Sequence, residues 1–314
     1  MTLKQVLEIT DMLDHPKVGG QNVADLFADH RHCSAAVQTV HGDKGSTDFI
    51  CITIAGVKGR TAGGTNPTLG LIGRLGGIGA RPTRIGSVSD GDGAIAVISA
   101  ALKLAEMSTR GDRLPGDVII ATHICQDAPT LPHEPVEFMD SPVEISTMNS
   151  HEVKADMDAV ISVDTTKGNR VFNHRGIALS PTVKSGYVLK FSDDLVRLLE
   201  MTTGEAAHTF AVTTQDITPY GNGVFHINSI LQPAVATAAP VVGLAITSAS
   251  VVPGSATGAS HETDVASAAR FCIEAAKEFT AQRAQFYDAD EYSRLTELYG
   301  NLSHLQTVGG RVNA

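Results

Sequence analysis

Tryptophan is absent from the 314-residue chain, and aromatic residues make up only 5% of it. The core must therefore be built mainly from Val, Ile, Leu and Ala. Charge is sparse as well: Asp, Glu, Lys and Arg supply 18%, below the roughly 25% of an average soluble domain. What charge there is leans acidic, with a formal net charge of −10. That argues against broad, non-specific binding of nucleic acid. No run approaches the ~18 apolar residues of a membrane span. The opening "MTLKQVLEITDMLDHP" has no unbroken apolar stretch and no small-residue cleavage site, so no secretory leader is expected. The cysteines Cys33, Cys51, Cys125 and Cys272 are scattered and form no CxxC pair. They read as reduced thiols of a cytoplasmic protein rather than a disulfide frame or zinc knuckle.

What is present is glycine (30 residues) and an alternation of apolar runs. Residues 3–14 and 20–30 read as amphipathic helices. "AAVQTVHG" and "TDFICITIAG" read as strands around a Gly/Asp turn. Short strands and loops are expected in the Gly-rich stretch after residue 60. "GAIAVISAALKLAEM" is a helix opened by a Gly/Asp turn, and "DVIIATHI" a buried strand. A short helix is expected near 150–157. "DAVISVDTT" reads as a strand ending in Asp, "VKSGYVLKF" as a strand, and "SDDLVRLLEMTTG" as a helix with a Ser/Asp N-cap. "HTFAVTT" and "PVVGLAITS" read as strands. "HETDVASAARFCIEAAKEFTAQ" is the last long helix, before a helical tail at about 280–307. Strands alternating with helices, without a repeat or a low-complexity linker, predict one α/β domain over 1–314 with a mixed, mostly parallel sheet.

In such sheets sites gather past the carboxyl ends of strands. "RIGSVSDGDG" places Asp90 and Asp92 before a helix, "VIIATHICQD" supplies His123 and Asp127, "AVISVDTTKG" supplies Asp164, and "GASHE" supplies His261 and Glu262. Carboxylates and imidazoles converging from separate junctions are what a divalent cation needs: Zn, with Mn or Co as alternatives. Taken singly, each has a plainer explanation. Asp90 or Asp92 can be a helix N-cap, Asp164 can close a turn with "TTKG", and a lone His is usually a hydrogen-bonded one.

Order and context together resemble the co-catalytic zinc aminopeptidases of the glutamyl and tetrahedral aminopeptidase type. "SDGDGAIAVISAALKL" resembles the bridging Asp before an Ala-rich helix, at Asp90. "DVIIATHICQD" resembles the strand that ends in an acidic pair, with Asp127 at the metal-binding acid. "AVISVDTT" puts Asp164 in a ligand position, and "ATGASHETDVASAARF" puts His261 before the last helix. The resemblance implies a three-layer zinc-peptidase-like (phosphorylase/hydrolase-like) fold. Two departures stand out. The early His-x-Asp motif has no counterpart, and the general-base Glu falls on Gln126, which cannot take a proton from water. The whole chain, with "DITPYGNG" and "RLGGIGARP", also resembles a bacterial family of unknown function.

The remaining polar groups suit a small-molecule pocket. His174 and Arg175 are candidates to orient a substrate carboxylate, and Asp216 and His226 add hydrogen-bonding groups, as would a well-capped loop. Cys125, beside His123, has no orienting partner for a dyad. His133 is a further candidate ligand or base.

The expectation is a metal-dependent hydrolase cutting an amide bond in a small peptide-like or amino-acid-derived substrate. Its metal ligands would be Asp90, Asp127, Asp164 and His261, with Asp92 as a further candidate. His123 would act as acid/base, with Gln126 at the abandoned base position. No nucleic-acid or membrane partner is expected, and a homo-oligomer is the default. The alternatives are a binding protein that kept the fold without the chemistry, and a metal-free lyase or isomerase.

Overall fold

The structure is a computed structural model that describes residues 2–74, 87–125, 127–169, 171–212, 227–252 and 259–306. Its helices are α1 (Leu3–Leu13), α2 (Gly20–Asp25), α3 (Asp92–Thr109), α4 (Ile145–Glu152), α5 (Asp193–Thr203), α6 (Glu262–Thr280) and α7 (Ala289–Tyr299). Its strands are β1 (Cys33–Gly42), β2 (Gly45–Ile54), β3 (Leu69–Gly73), β4 (Val118–Ile124), β5 (Thr130–Leu131), β6 (Phe138–Met139), β7 (Ala159–Gly168), β8 (Gly176–Leu179), β9 (Val183–Lys184), β10 (Tyr187–Val188) and β11 (Val241–Val251). A 3-10 segment, Ser229–Val235, precedes β11.

The main sheet runs β1-β2-β4-β3-β7-β11-β9-β10, with β8 also on β11. Its centre, β4-β3-β7-β11, is parallel, and antiparallel strands flank it on both sides. The central strands are mostly apolar because both faces are covered, with polar residues such as His123 and Asp164 towards their carboxyl ends. Ile52, Leu71, Ile120, Ile161 and Leu244 face one core, shared with α1, α3, α5 and α6. Ile72, Ala121, Val160 and Ala245 face a smaller core closed by Ile230 and Leu231 of the 3-10 segment. The result is a mixed α/β fold in three layers, as the sequence predicts.

Burying one of these side chains stabilises the fold by roughly 1.5–3 kcal/mol. With Ala, Val, Ile and Leu dominating both cores, the layers can approach closely. Two glycines set the closest approach. A Cβ on Gly73 would lie 2.7 Å from Val97 Cγ2 and 2.8 Å from Gly93 O, and one on Gly93 would lie 2.5 Å from Val163 O. The start of α3 thus rests backbone to backbone on the carboxyl ends of β3 and β7.

Several local expectations shift. The short helix occupies 145–152 rather than 150–157, since no side chain caps it and its boundary is set by packing on β2 and β4. The second helix ends at Asp25, and turns carry the chain to residue 29. The strand carrying Asp164 does not end there: pairing with β11 continues it to Gly168. "VKSGYVLKF" is a tight hairpin, turning at Ser185 and Gly186 with positive φ. "HTFAVTT" contributes a single bridge, Thr209 to Leu179, within its described part. The strand β8 has no counterpart in the sequence reading.

Candidate functional site

Register brings three ionisable residues into one row. Phe49 pairs with His123, Ile72 with Ala121, Gly73 with Val163, and Asp164 with Ala245. Continuing β3 by one residue puts Arg74 between His123 and Asp164, and Arg74 N donates to Val163 O at 2.8 Å, extending the ladder. Row-mates on neighbouring strands point to the same face. This face is the one covered by α4 and the 3-10 segment.

Arg74 is 2% exposed and Glu152 of α4 is fully buried, so the guanidinium needs a counter-charge. Arg74 Nη1 donates to Glu152 Oε2 and Nη2 donates to Gln232 Oε1 at 2.5 Å. Asn149 Nδ2 reaches Gln232 O at 3.4 Å. The other Glu152 oxygen, Oε1, lies 2.7 Å from His123 Nδ1. A carboxylate only accepts, so Nδ1 carries the hydrogen and Nε2 is the atom left for proton transfer. The His123 ring packs on Phe49 with centroids 5.4 Å apart, and Phe49 stacks on His151 at 4.5 Å. The result is a buried His–carboxylate–Arg relay at the carboxyl ends of β3 and β4.

Asp90, Asp92 and Asp164 are buried at the adjoining strand ends. Asp92 Oδ1 accepts from Ser260 Oγ at 2.5 Å, and Thr165 Oγ1 donates to Ser89 O at 2.6 Å, tying β7 to the turn before α3. Asp127 and His261 are exposed, and His261 is the residue before α6. Glu262 is exposed as well. His133 is exposed on the β5–β6 hairpin, with Nδ1 2.9 Å from Val136 O. Among the described residues no group of three or more His, Cys, Asp or Glu is placed to hold a metal ion. Gln126, Asp216 and His226 lie outside the described residues. Cys125 donates weakly to Ser46 O at 3.4 Å, and burial pushes its thiol up to about 12, away from nucleophilic use.

His174 and Arg175 belong to a different place. They line a cavity of about 430 Å³ between β8, α5 and α6, with Glu205, His208, Asp264 and Arg270. The rings of His174 and His208 stack with centroids 3.2 Å apart. Desolvation, and then His208, lowers the His174 pKa. No element of this cavity belongs to the relay around His123.

Arg74, Asn149, Glu152 and Gln232 are absent from the sequence reading. Arg74 had a usable signal: it is the charge that ends the apolar run "LGLIG". The others had none, because their partners lie 29 to 158 residues away.

The fold is a mixed α/β fold similar to that of a leucine aminopeptidase. Within it, the chain belongs to the family described as "Protein of unknown function (DUF1177)", which matches residues 38–309. A mutant of tomato leucine aminopeptidase is similar at 12% identity and TM-score 0.50, over 86% of this chain and 60% of that one. The chain thus spans about three fifths of the tomato protein's length. The LapA aminopeptidase of Legionella pneumophila is similar at 11% identity and TM-score 0.49, over 91% of this chain and 71% of that one. No curated protein matches the sequence. Among the described residues, no helix is long and apolar enough to cross a membrane.

Proposed function

We propose that the chain is a hydrolase that cuts an amide bond in a small peptide-like or amino-acid-derived substrate at the carboxyl ends of β3, β4 and β7. The observation that carries this reading is the His123–Glu152 pair, with Nδ1 and Oε1 2.7 Å apart. Glu152 holds the ring and its tautomer, and Arg74 and Gln232 hold Glu152. Such support is what a general base requires. His123 Nε2 takes a proton from water as the water oxygen bonds to the amide carbon. The C–N bond then breaks, and the same proton goes to the departing nitrogen. An amide and a water become a carboxylic acid, ionised at neutral pH, and an amine. The imidazole is 3% exposed, so substrate reaches Nε2 only when neighbouring groups move aside.

The aminopeptidase-like fold supports the choice of an amide over other hydrolysable bonds.

The test is hydrolysis of a panel of aminoacyl amides, dipeptides and N-acyl amino acids by the purified chain and by His123→Gln. Turnover that falls by about 10²-fold or more in the variant, at an unchanged melting temperature, supports the reading. Absence of turnover on every substrate, or turnover that His123→Gln leaves intact, overturns it.

A further inference from the structure

The cavity beside α5 and α6 holds two opposite charges that do not pair. Arg270 Nη1 donates to Thr202 O at 3.1 Å, and the guanidinium makes no ion pair among the described residues. The Glu205 carboxylate has no hydrogen bond or ion pair among them either. Both line the same space. The other charged couple, Arg175 and Asp264, already meets at 3.4 Å across the rim.

The charges are arranged with a polarity. Thr202 and Thr203 end α5, and Gly204 caps it in the left-handed conformation, with Glu205 next. The carboxyl end of a helix carries partial negative charge, and a carboxylate beside it adds to that. This side suits an ammonium group. Arg270, from α6, offers its unengaged N–H groups as a fork that matches a carboxylate. The stacked His174 and His208 rings, tilted by 20°, give a flat wall for the body of a ligand. The volume, about 430 Å³, lies in the range of small-molecule sites, about 300–1,000 Å³.

We propose that this cavity is a binding site for a free amino acid or a dipeptide-sized zwitterion, with the ligand carboxylate on Arg270 and the ligand ammonium on Glu205. The ligand supplies to each residue an ion-pair partner that no described residue supplies. The site shares no element with the His123 relay, so its occupancy does not depend on hydrolysis there.

The experiment is calorimetric titration of the full chain with the common L-amino acids and glycylglycine, up to about 10 mM so that a Kd in the millimolar range is seen. The best binder is then repeated as its N-acetyl and carboxamide forms. Each blocked form is expected to bind at least ten-fold more weakly, because a charged group in the site is left without its partner. Glu205→Gln and Arg270→Gln should each weaken the parent ligand at least ten-fold and weaken the correspondingly blocked form much less. Glu205 and Arg270 are both exposed, so each variant keeps the fold. Binding of no zwitterion at these concentrations, equal binding of the blocked forms, or undiminished binding by Glu205→Gln overturns the proposal. Loss of hydrolysis in His123→Gln with zwitterion binding intact separates this site from the proposed catalytic one.

Discussion

Nδ1 of His123 lies 2.7 Å from Oε1 of Glu152, while the other oxygen of that carboxylate takes a hydrogen bond from the buried guanidinium of Arg74. One carboxylate therefore does two jobs. It neutralises a cation inside the core, and it fixes which nitrogen of an imidazole is free.

The first expected outcome concerns stability. Glu152→Gln removes the charge facing Arg74 and leaves a buried cation without its counter-ion. It should destabilise the fold by about 3–5 kcal/mol, read from the urea midpoint. The double variant Arg74→Met, Glu152→Met should cost less than either single change, since apolar replacements of a whole buried pair are often tolerated. Additive losses would mean that the two residues do not act as a pair.

The second separates chemistry from packing. His123→Gln keeps a polar group against Glu152, so its melting temperature should stay near that of the parent. If the proposed hydrolysis holds, kcat should fall by about 10²-fold or more, while the KM for substrate changes little. An unchanged kcat would remove His123 from the reaction.

The third uses pH. Desolvation and the neighbouring His208 hold the His174 pKa below its ordinary value of 6.5, against the opposite pull of Glu205 and Asp264. The unfolded chain therefore binds a proton at this position more readily than the folded one. This contribution to stability is present above pH 6.5 and is lost as pH falls below it. His174→Gln should flatten the fall of melting temperature between pH 7 and 5, by a small amount because the ring is only partly buried. An identical slope would show that the pair does not resist protonation.

The fourth tests close approach. A methyl group at Gly93 would sit 2.5 Å from the carbonyl oxygen of Val163, and backbone on both sides leaves little room to yield. Gly93→Ala should cost about 1–3 kcal/mol, despite the better helix propensity of Ala. A variant as stable as the parent would mean that α3 can lift from the sheet.

The fifth concerns thiols. All four cysteines are free, and burial pushes Cys33, Cys125 and Cys272 up to about 12. At pH 8 the native chain should alkylate slowly with iodoacetamide, and all four should label at once in urea, as counted by mass spectrometry. Fast native labelling of Cys272 would contradict its burial.

The central frame was readable from the sequence because it is made of long, uninterrupted patterns. The runs that became β4, α3 and α6 carry either a solid apolar stretch or a helical period with a turn at its start. The hairpin β9–β10 and strand β8 were missed because they are short and are defined by partners on β11. His123 was legible as a polar residue leaving a buried strand. The acid itself was not legible. Glu152 sits 29 residues from His123 and 78 from Arg74, in a helix without a capping signal. The sequence reading also gathered Asp127 and His261 with Asp90 and Asp164, because each stands at a junction. In the structure Asp127 and His261 are exposed, while Asp90 and Asp164 are buried.

The fully buried Arg74 also bears on how the molecule opens. Its partners arrive from points 75, 78 and 158 residues further along the chain, so it gathers the sheet centre, α4 and the 3-10 segment into one unit. If α4 peeled away by itself, a bare cation would remain in an apolar interior. The eight-residue helix should therefore exchange its amide hydrogens at the pace of the central strands, and not at the pace of a surface helix of its length.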